Sequence, residues 1–191
     1  MTDLAERRGL DADVYEPAED SRLLAEAAAD GLDDPDRLLD VGTGTGYVGA
    51  RLRDATGARV VGVDVNPHAC RRAVKRGIDV VRGDLLAPFQ TGSFDAVTFN
   101  PPYLPTDPDA EPGDWLGVAV SGGASGRAVI ERFLDDLGRV LAPEGAAFLL
   151  VSSHAGVGTV VEYAGDRGFH AAESMDVSFS DETLVVLWLS R

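Results

Sequence analysis

Short apolar runs alternate along the chain with longer segments in which apolar residues recur every three to four positions. The short runs predict buried strands, and the longer segments predict amphipathic helices. The predicted strands cover 38–41, 59–63, 78–81, 94–99 and 146–151, with a closing pair at 169–177 and 183–189. The predicted helices cover 18–30, 47–55, 67–76, 125–140 and 157–167.

The order of these elements predicts an α/β fold, a doubly wound and mostly parallel seven-stranded sheet. The last two strands have no helix between them, so we expect them to form a C-terminal antiparallel hairpin. The stretch 100–123 matches neither pattern. It is rich in Pro, Asp and Gly and is too long for a simple connection, which predicts a functional loop.

The composition is strongly acidic. The chain has 191 residues, with 32 acidic and 17 basic side chains and a formal net charge of −15. A chain of this length predicts a single domain, here 1–191. The acidic excess disfavours a nucleic-acid substrate. Because Lys75 is the only lysine, the excess fits better with a solvated surface suited to high salt, so it counts only a little against nucleic acid.

Several classes of site and location are disfavoured by what the sequence lacks. No apolar run reaches the roughly 18 residues of a membrane span, and the N-terminus has no apolar signal segment, so we expect a cytoplasmic protein without membrane contact. Cys70 is the only cysteine, which excludes an internal disulfide. The histidines His68, His154 and His170 are dispersed, so the sequence predicts no metal site and no Ser-His-Asp triad.

A glycine-rich loop reading DVGTGTG directly follows the first predicted strand. Its glycines, among them Gly42 and Gly44, allow a tight turn and a close approach of the backbone to a ligand. Alone, this pattern would also fit a dinucleotide site or a plain turn between strand and helix.

Three aspartates, Asp40, Asp64 and Asp84, lie at or just after the ends of successive predicted strands. The carboxyl ends of parallel strands converge on one crevice, so we expect these side chains to lie together. Carboxylates placed there can accept hydrogen bonds from the hydroxyl and amino groups of a nucleoside.

The motifs LDVGTGTG, VVGVDVNP and RGDLL resemble those of the class I S-adenosylmethionine methyltransferases, in the same order and across nearly the whole chain. The resemblance implies a Rossmann-like fold and S-adenosyl-L-methionine (SAM) as the cofactor. It implies that Asp40 and Gly42, with Gly44 in the same loop, lie against the methionine portion. It places Asp64 against the ribose, and Asp84 against the adenine.

Two more parts of the chain complete the cofactor contacts that this resemblance implies. Leu85, which follows the aspartate placed against the adenine, would offer the adenine an apolar wall or a backbone N–H. Upstream, VYEPAEDS resembles the segment that covers the other side of the cofactor, and Tyr15 and Ser21 are the candidates there. Asn100, at the end of the fourth predicted strand, is also a candidate cofactor contact.

The quartet Asn100-Pro101-Pro102-Tyr103 follows the strand 94–99, where chemistry is expected in a parallel sheet. An amide nitrogen is a poor nucleophile because its lone pair is delocalised, so catalysis is mainly a matter of positioning it. The Asn100 side-chain oxygen and the Pro101 carbonyl can accept its two N–H groups. Consecutive prolines stiffen this turn, and Tyr103 can stack on a planar substrate.

This quartet marks methyltransferases acting on glutamine amides, adenine N6 or guanine amines, so it indicates a nitrogen and not the molecule. Asn100, Pro101 and Tyr103 are the candidate catalytic residues, and all four residues are candidate substrate contacts. Length, VYEPAEDS and FDAVTFNPPY together resemble the HemK-like glutamine methyltransferases, in their short archaeal and eukaryotic branch. That branch methylates the N5 atom of the glutamine in the Gly-Gly-Gln motif of the class-1 translation release factor.

Two alternatives to this substrate stay open. An N6-adenine or guanine-N2 methyltransferase acting on RNA or DNA would use the same quartet, but it would need a basic groove or an added RNA-binding domain. A binding protein that keeps the fold without catalysis is disfavoured by the intact Asn100 and Tyr103. The bacterial branch also has an N-terminal helical domain, which we do not expect here because only about 37 residues precede the first strand.

The short branch is known for pairing with a small zinc-binding activator protein as a heterodimer. In the usual strand order of this fold the strand 78–81 lies at the edge of the sheet, and an apolar edge is a liability unless it is covered. We therefore expect the activator to contact Ile78, Val80 and Val81. The alternative is an ordinary edge strand kept soluble by nearby charges such as Arg76 and Arg82.

Overall fold

A mixed seven-stranded sheet forms the centre of the computed structural model, which describes residues 10–11, 14–106 and 114–191. Its strands are β3 (Arg37–Val41), β4 (Arg59–Asp64), β5 (Asp79–Arg82), β6 (Phe94–Phe99), β7 (Leu141–Ser152), β8 (His170–Ser178) and β9 (Thr183–Ser190). Two short strands, β1 (Leu10–Asp11) and β2 (Val14–Tyr15), pair with each other outside this sheet.

Helices lie between most of the strands. They are α1 (Glu19–Gly31), α2 (Tyr47–Thr56), α3 (Pro67–Lys75), α4 (Trp115–Val120), α5 (Ala128–Val140) and α6 (Val157–Asp166), with one 3-10 turn at Ser153–Ala155. Among the described residues, no helix is long and apolar enough to cross a membrane.

The strand order is β5-β4-β3-β6-β7-β9-β8. The first five strands in this order are parallel, and β9 pairs antiparallel with both β7 and β8. This confirms the predicted fold class with its C-terminal hairpin. The chain moves outward from β3 to β5 and then returns to β6 on the other side of β3, so the switch point where ligands bind in such sheets lies between β3 and β6.

The core explains why the sequence forms these elements. The central strands are covered on both faces, so they read as continuous apolar runs such as 147–151, whose side chains are all buried. On α5 the buried residues Ile130, Phe133, Leu134 and Leu137 recur at helical spacing and form one apolar face.

Two boundaries differ from the prediction for a backbone reason. The predicted helix 125–140 begins at Ala128, because Gly126 has a φ of 72°, which is incompatible with a right-handed helix. The predicted strand 146–151 extends back to Leu141, which pairs with Phe94 before an irregularity in the register.

The predicted loop 100–123 contains a short helix that the sequence analysis missed. Helix α4 covers six residues and has no buried side chain, so its apolar sequence WLGVAV shows no helical alternation of polar and apolar positions. Asp114 caps its N-terminus by accepting a hydrogen bond from the Gly117 N–H at 2.8 Å.

Candidate active site

A cavity of about 430 Å³ lies at the carboxyl ends of β3, β4, β5 and β6. Within the described ranges, it brings together every residue that the sequence analysis proposed for the cofactor and the substrate. These residues are Tyr15, Ser21, Asp40, Gly42, Gly44, Asp64, Asp84, Leu85, Asn100, Pro101, Pro102 and Tyr103.

The glycine loop forms the floor of this cavity between β3 and α2. Gly42 and Gly44 have φ angles of 61° and 54°, a left-handed conformation that side chains other than glycine rarely adopt. The loop is tied to the next strand because the Thr43 N–H donates to the Val63 carbonyl at 3.0 Å. The backbone of the loop therefore faces the cavity without intervening side chains at the glycines.

Asp40 lies under this loop and is buried. Its Oδ2 accepts hydrogen bonds from the Thr43 hydroxyl at 2.7 Å and the Gly49 N–H at 3.1 Å, and its Oδ1 accepts from the Thr98 hydroxyl at 3.1 Å. Burial raises the pKa of Asp40 to about 6, although these hydrogen bonds lower it. Asp40 thus holds the loop in place as well as lining the cavity.

Asp64 ends β4, and both of its carboxylate oxygens accept hydrogen bonds. Its Oδ2 accepts from the Gly44 N–H and its Oδ1 from the Asn66 N–H, both at 2.9 Å. Burial raises the pKa of Asp64. Because each carboxylate oxygen has two lone pairs, Asp64 keeps acceptor capacity for a ligand hydroxyl while it fixes the glycine loop.

Asp84 follows β5, and its Oδ2 lies 2.5 Å from Nη2 of Arg132 on α5. Arg132, which was not among the candidate site residues, also lines the cavity. Leu85 has a φ of 47°, an uncommon conformation for a residue other than glycine. A second arginine, Arg139, lies two helical turns further along α5, and this i, i+7 spacing was the available signal.

The upstream segment closes the cavity from the other side. The Tyr15 hydroxyl donates to Asp20 Oδ2 at 2.7 Å, and the Ser21 N–H donates to Asp20 Oδ1 at 2.5 Å. Asp20 is only 4% exposed and lines the cavity. Asp20 was not among the candidate site residues, so its role in orienting Tyr15 and Ser21 was missed.

The reacting quartet leaves β6 at Asn100, which is half-buried, whereas Pro101 and Tyr103 are buried. Leu104, the next residue, pairs with the end of α4 and the residues after it: its N–H donates to the Val120 carbonyl at 3.0 Å, and its carbonyl accepts from the Gly122 N–H at 2.8 Å. The turn is therefore held between the central sheet and the loop that precedes α5.

Helix α4 supplies an apolar wall beside this turn. Its residues Trp115, Val118, Ala119 and Val120 line the cavity. The helix also packs against β2, so it connects the quartet to the segment that carries Tyr15.

The ionisable side chains that line the cavity are mostly acidic. Among the described residues that line the cavity, the ionisable carboxylates are Asp20, Asp40, Asp64 and Asp84, and the only arginine or lysine is Arg132. A pyrophosphate would need several donors or cations. The lining suits a ligand that carries hydroxyl and amino donors and positive charge. Among the residues that the structure describes, no three His, Cys, Asp or Glu side chains form a cluster that could hold a metal ion.

Comparison with known proteins identifies the family. A family model described as "Methyltransferase domain" matches residues 38–112. Human methyltransferase HEMK2 is 34% identical over 96% of the chain and 92% of its own length. A Methanocaldococcus jannaschii protein assigned as a protein N5-glutamine methyltransferase is 34% identical over 93% of the chain and 92% of its own length.

The chain belongs to the HEMK2-like family of protein N5-glutamine methyltransferases. A solved structure of the E. cuniculi Mtq2-Trm112 complex, described as responsible for methylation of the translation termination factor eRF1, superposes on 94% of the chain and 99% of the matched chain. That superposition has a TM-score of 0.78 and 33% sequence identity. The ribosomal protein L11 methylase of Lactobacillus delbrueckii, at 13% identity and a TM-score of 0.66, shares the fold.

The residues expected at the activator interface of this HEMK2-like methyltransferase differ in how far they are exposed. The strand β5 lies at the edge of the sheet, as predicted. It begins at Asp79, one residue later than predicted, and Val81 within it is 36% exposed. Ile78 precedes the strand and is buried at 3% exposure, and Val80 packs partly against the core. The expectation that Ile78 forms part of an exposed edge was therefore wrong.

Proposed function

We propose that this chain transfers a methyl group from S-adenosyl-L-methionine to the side-chain amide nitrogen of the glutamine in the Gly-Gly-Gln motif of the class-1 translation release factor. The observation that carries this function is that the turn from Asn100 to Tyr103 and the glycine loop line one cavity. Membership of the N5-glutamine methyltransferase family supports it. The E. cuniculi relative, described as methylating a termination factor, supports the choice of substrate.

The residues of the cavity fit this cofactor. A volume of about 430 Å³ lies within the range of small-molecule sites. Asp64 would accept from the ribose hydroxyls and Asp84 from the adenine amino group, while the acidic lining favours the ammonium and sulfonium charges. When bound, the cofactor supplies an electrophilic methyl carbon.

Asn100 and Pro101 would hold the substrate nitrogen. The Asn100 side-chain oxygen and the Pro101 carbonyl each accept one N–H of the glutamine amide, which favours a pyramidal nitrogen and frees its lone pair. With the cofactor bound, the nitrogen–carbon bond would form as the carbon–sulfur bond breaks, and the proton lost from nitrogen would pass to water. Because the proton leaves only once methylation has begun, no strong general base is needed at Asn100.

Pro102 and Tyr103 would shape the substrate slot. Tyr103 is 5% exposed and lines the cavity, so its ring can pack against a planar amide only through the cavity face. Pro101 and Pro102 fix φ and lack backbone N–H donors. Neither proline can therefore donate a hydrogen bond to a carbonyl group of the turn, which leaves these carbonyl groups available to a substrate.

Mass spectrometry of a Gly-Gly-Gln peptide excised from release factor tests this function. We expect a mass increase of one methyl group on glutamine with the native enzyme and none with Asn100→Ala. Gln90→Ala is the matched control, because Gln90 is an exposed amide outside the cavity lining. Label from the cofactor that appears in RNA or DNA and not in release factor would overturn the substrate assignment and favour the nucleic-acid alternative.

We also propose that a small zinc-binding activator covers the outer edge of β5, as a heterodimer partner in the cytoplasm. The E. cuniculi relative was solved in complex with Trm112, and Val81 and Val74 are exposed apolar side chains on or next to this edge. Val81→Asp should abolish copurification with the activator. Ser174→Asp, an exposed position on β8 at the opposite edge, is the control, and retained binding of Val81→Asp would contradict the interface.

A further inference from the structure

Arg132 is an arginine on a helix that is otherwise anchored in the core. Three neighbours on α5, Ile130, Phe133 and Leu134, are almost fully buried, so the helix backbone that carries Arg132 is fixed. Asp84 follows β5 directly after Gly83, whose N–H donates to the Asp64 carbonyl at 3.0 Å and so fixes the backbone there. The contact of 2.5 Å between Arg132 Nη2 and Asp84 Oδ2 therefore joins two rigid elements across the rim of the cavity.

The turn after β5 is held by the same helix at a second point. Arg139 donates to the Leu86 carbonyl at 2.9 Å and also to the Phe89 carbonyl. The Gly92 N–H donates to the Arg139 carbonyl at 2.9 Å. Helix α5 thus clamps the segment from residue 84 to residue 92, within which Leu85 is held at its positive φ.

The arginine contact leaves one carboxylate oxygen of Asp84 available. Oδ2 faces Arg132, and Oδ1 can face the cavity that both residues line. An ionised carboxylate is a hydrogen-bond acceptor only. An acceptor at this place favours a base edge that presents an amino group over one that presents a carbonyl oxygen.

We propose that Arg132 is a positioning residue that sets nucleobase specificity, by aiming Asp84 at the 6-amino group of the adenine. This inference rests on the proposed function, since it assumes that the cavity binds an adenosine-containing cofactor. Both side chains are more than half exposed, so the effect of Arg132 is one of orientation more than of charge, because water screens exposed ion pairs.

Calorimetric binding of two ligands to the full chain tests this role. The ligands are S-adenosyl-L-homocysteine and S-inosyl-L-homocysteine, which carry a 6-amino group and a 6-oxo group respectively and differ also at N1, which bears a hydrogen only in the inosine compound. The native chain should prefer the adenosine compound. In Arg132→Ala that preference should fall about fivefold to tenfold, the effect of weakening one hydrogen bond, with little change for the inosine compound.

Two further variants separate the orientation of Asp84 from a general effect of removing an arginine on ligand affinity. Arg132→Lys keeps the charge but lacks the planar fork, so it should restore only part of the preference. Arg167→Ala removes another arginine of an Arg–Asp pair, bound to Asp135 at 2.9 Å away from the cavity lining, and should leave both affinities unchanged.

Each outcome bears on a different conclusion. An equal loss of both ligands in Arg132→Ala, or an unchanged preference, would overturn the role of Arg132 while leaving the proposed function intact. Failure of the native chain to bind S-adenosyl-L-homocysteine would overturn the cofactor assignment, and the role of Arg132 with it.

Discussion

The Thr98 hydroxyl donates a hydrogen bond of 3.1 Å to Asp40 Oδ1. Both side chains are buried, and Thr98 precedes Asn100 by two residues on β6. Because the same carboxylate also accepts from Thr43 and Gly49, one side chain links the glycine loop, the start of α2 and the strand that leads to the reacting turn. The spacing between the two halves of the site therefore depends on Asp40.

Asp40 should make stability depend on pH. Burial raises its pKa to about 6, whereas an unfolded chain has an aspartate pKa of about 3.9. Between these values the folded state holds the proton that the unfolded state has lost, so the free energy of unfolding decreases as the pH rises from about 4 to about 6. The full decrease from this group is about 3 kcal/mol.

Asp40→Asn should remove this decrease. The asparagine side chain can still accept from the Gly49 N–H and can donate to the Thr98 hydroxyl, so the fold is expected to survive. Urea unfolding of both proteins between pH 4 and pH 7 measures the difference, which cancels the titration of the other acids. Parallel pH curves for the two proteins would show that Asp40 does not titrate in this window.

Thr98→Val should destabilise the protein more at pH 8 than at pH 4. The substitution keeps the shape of the side chain but removes the donor to Asp40 Oδ1. A hydrogen bond to an ionised group contributes about 1.5–3 kcal/mol and one to a neutral group about half as much, so the loss should be larger when Asp40 is ionised. The same substitution in the Asp40→Asn background should cost the same at both pH values, and a pH-dependent cost there would contradict the assignment.

Much of the site could be predicted because its residues lie at strand ends. Asp40 and Asp64 lie in the last two residues of strands whose apolar runs are readable in the sequence, and Asn100 directly follows such a strand. Parallel topology brings those ends together. Arg132 and Asp20 could not be predicted in this way. The contact of Arg132 with Asp84 joins residues 48 positions apart and is set by tertiary packing, and the contact of Asp20 with Tyr15 depends on the turn between β2 and α1.

Boundary errors also had physical causes that a one-dimensional pattern does not contain. Ile78 belongs to an apolar run, but its N–H bonds to the Ala73 carbonyl and its side chain enters the core before β5 begins. The start of α5 depends on the backbone conformation of Gly126, which a pattern of apolar positions does not reveal.

Gly126→Ala should impair both stability and methylation. Gly126 has a φ of 72°, and a Cβ there would lie 2.6 Å from the Tyr103 carbonyl oxygen. The added methyl group must displace the reacting turn, and overpacking of this kind costs about 1–3 kcal/mol, in addition to the strain of a left-handed alanine. We expect a loss of kcat/KM for release factor greater than tenfold, since small displacements of positioned groups have about this effect.

Gly168→Ala is the matched control for this substitution. Gly168 has a similar φ of 80°, but no atom lies within 4 Å of its added Cβ. It should therefore show the backbone strain alone, with kcat/KM close to that of the native enzyme. Equal losses of kcat/KM in the two variants would mean that the contact with Tyr103 has no part in catalysis.

Salt should stabilise the folded chain. The net charge of −15 produces self-repulsion in the compact state, and the exposed acids include Asp33, Asp34 and Asp36 in the connection between α1 and β3. The Debye length falls from about 10 Å at 0.1 M salt to about 3 Å at 1 M. The urea midpoint should therefore rise between these KCl concentrations, in a denaturant that is itself uncharged.

A charge-neutralised variant separates screening from other effects of salt. Asn replaces Asp at 33, 34 and 36 in this triple variant, and the positive φ of 47° at Asp34 is one that asparagine tolerates. If screening causes the rise, the variant should be more stable at 0.1 M KCl and should gain less from added salt. A urea midpoint that falls with KCl in the native chain would instead mean that surface ion pairs such as Arg72–Glu16 outweigh the repulsion, because salt weakens those pairs as well.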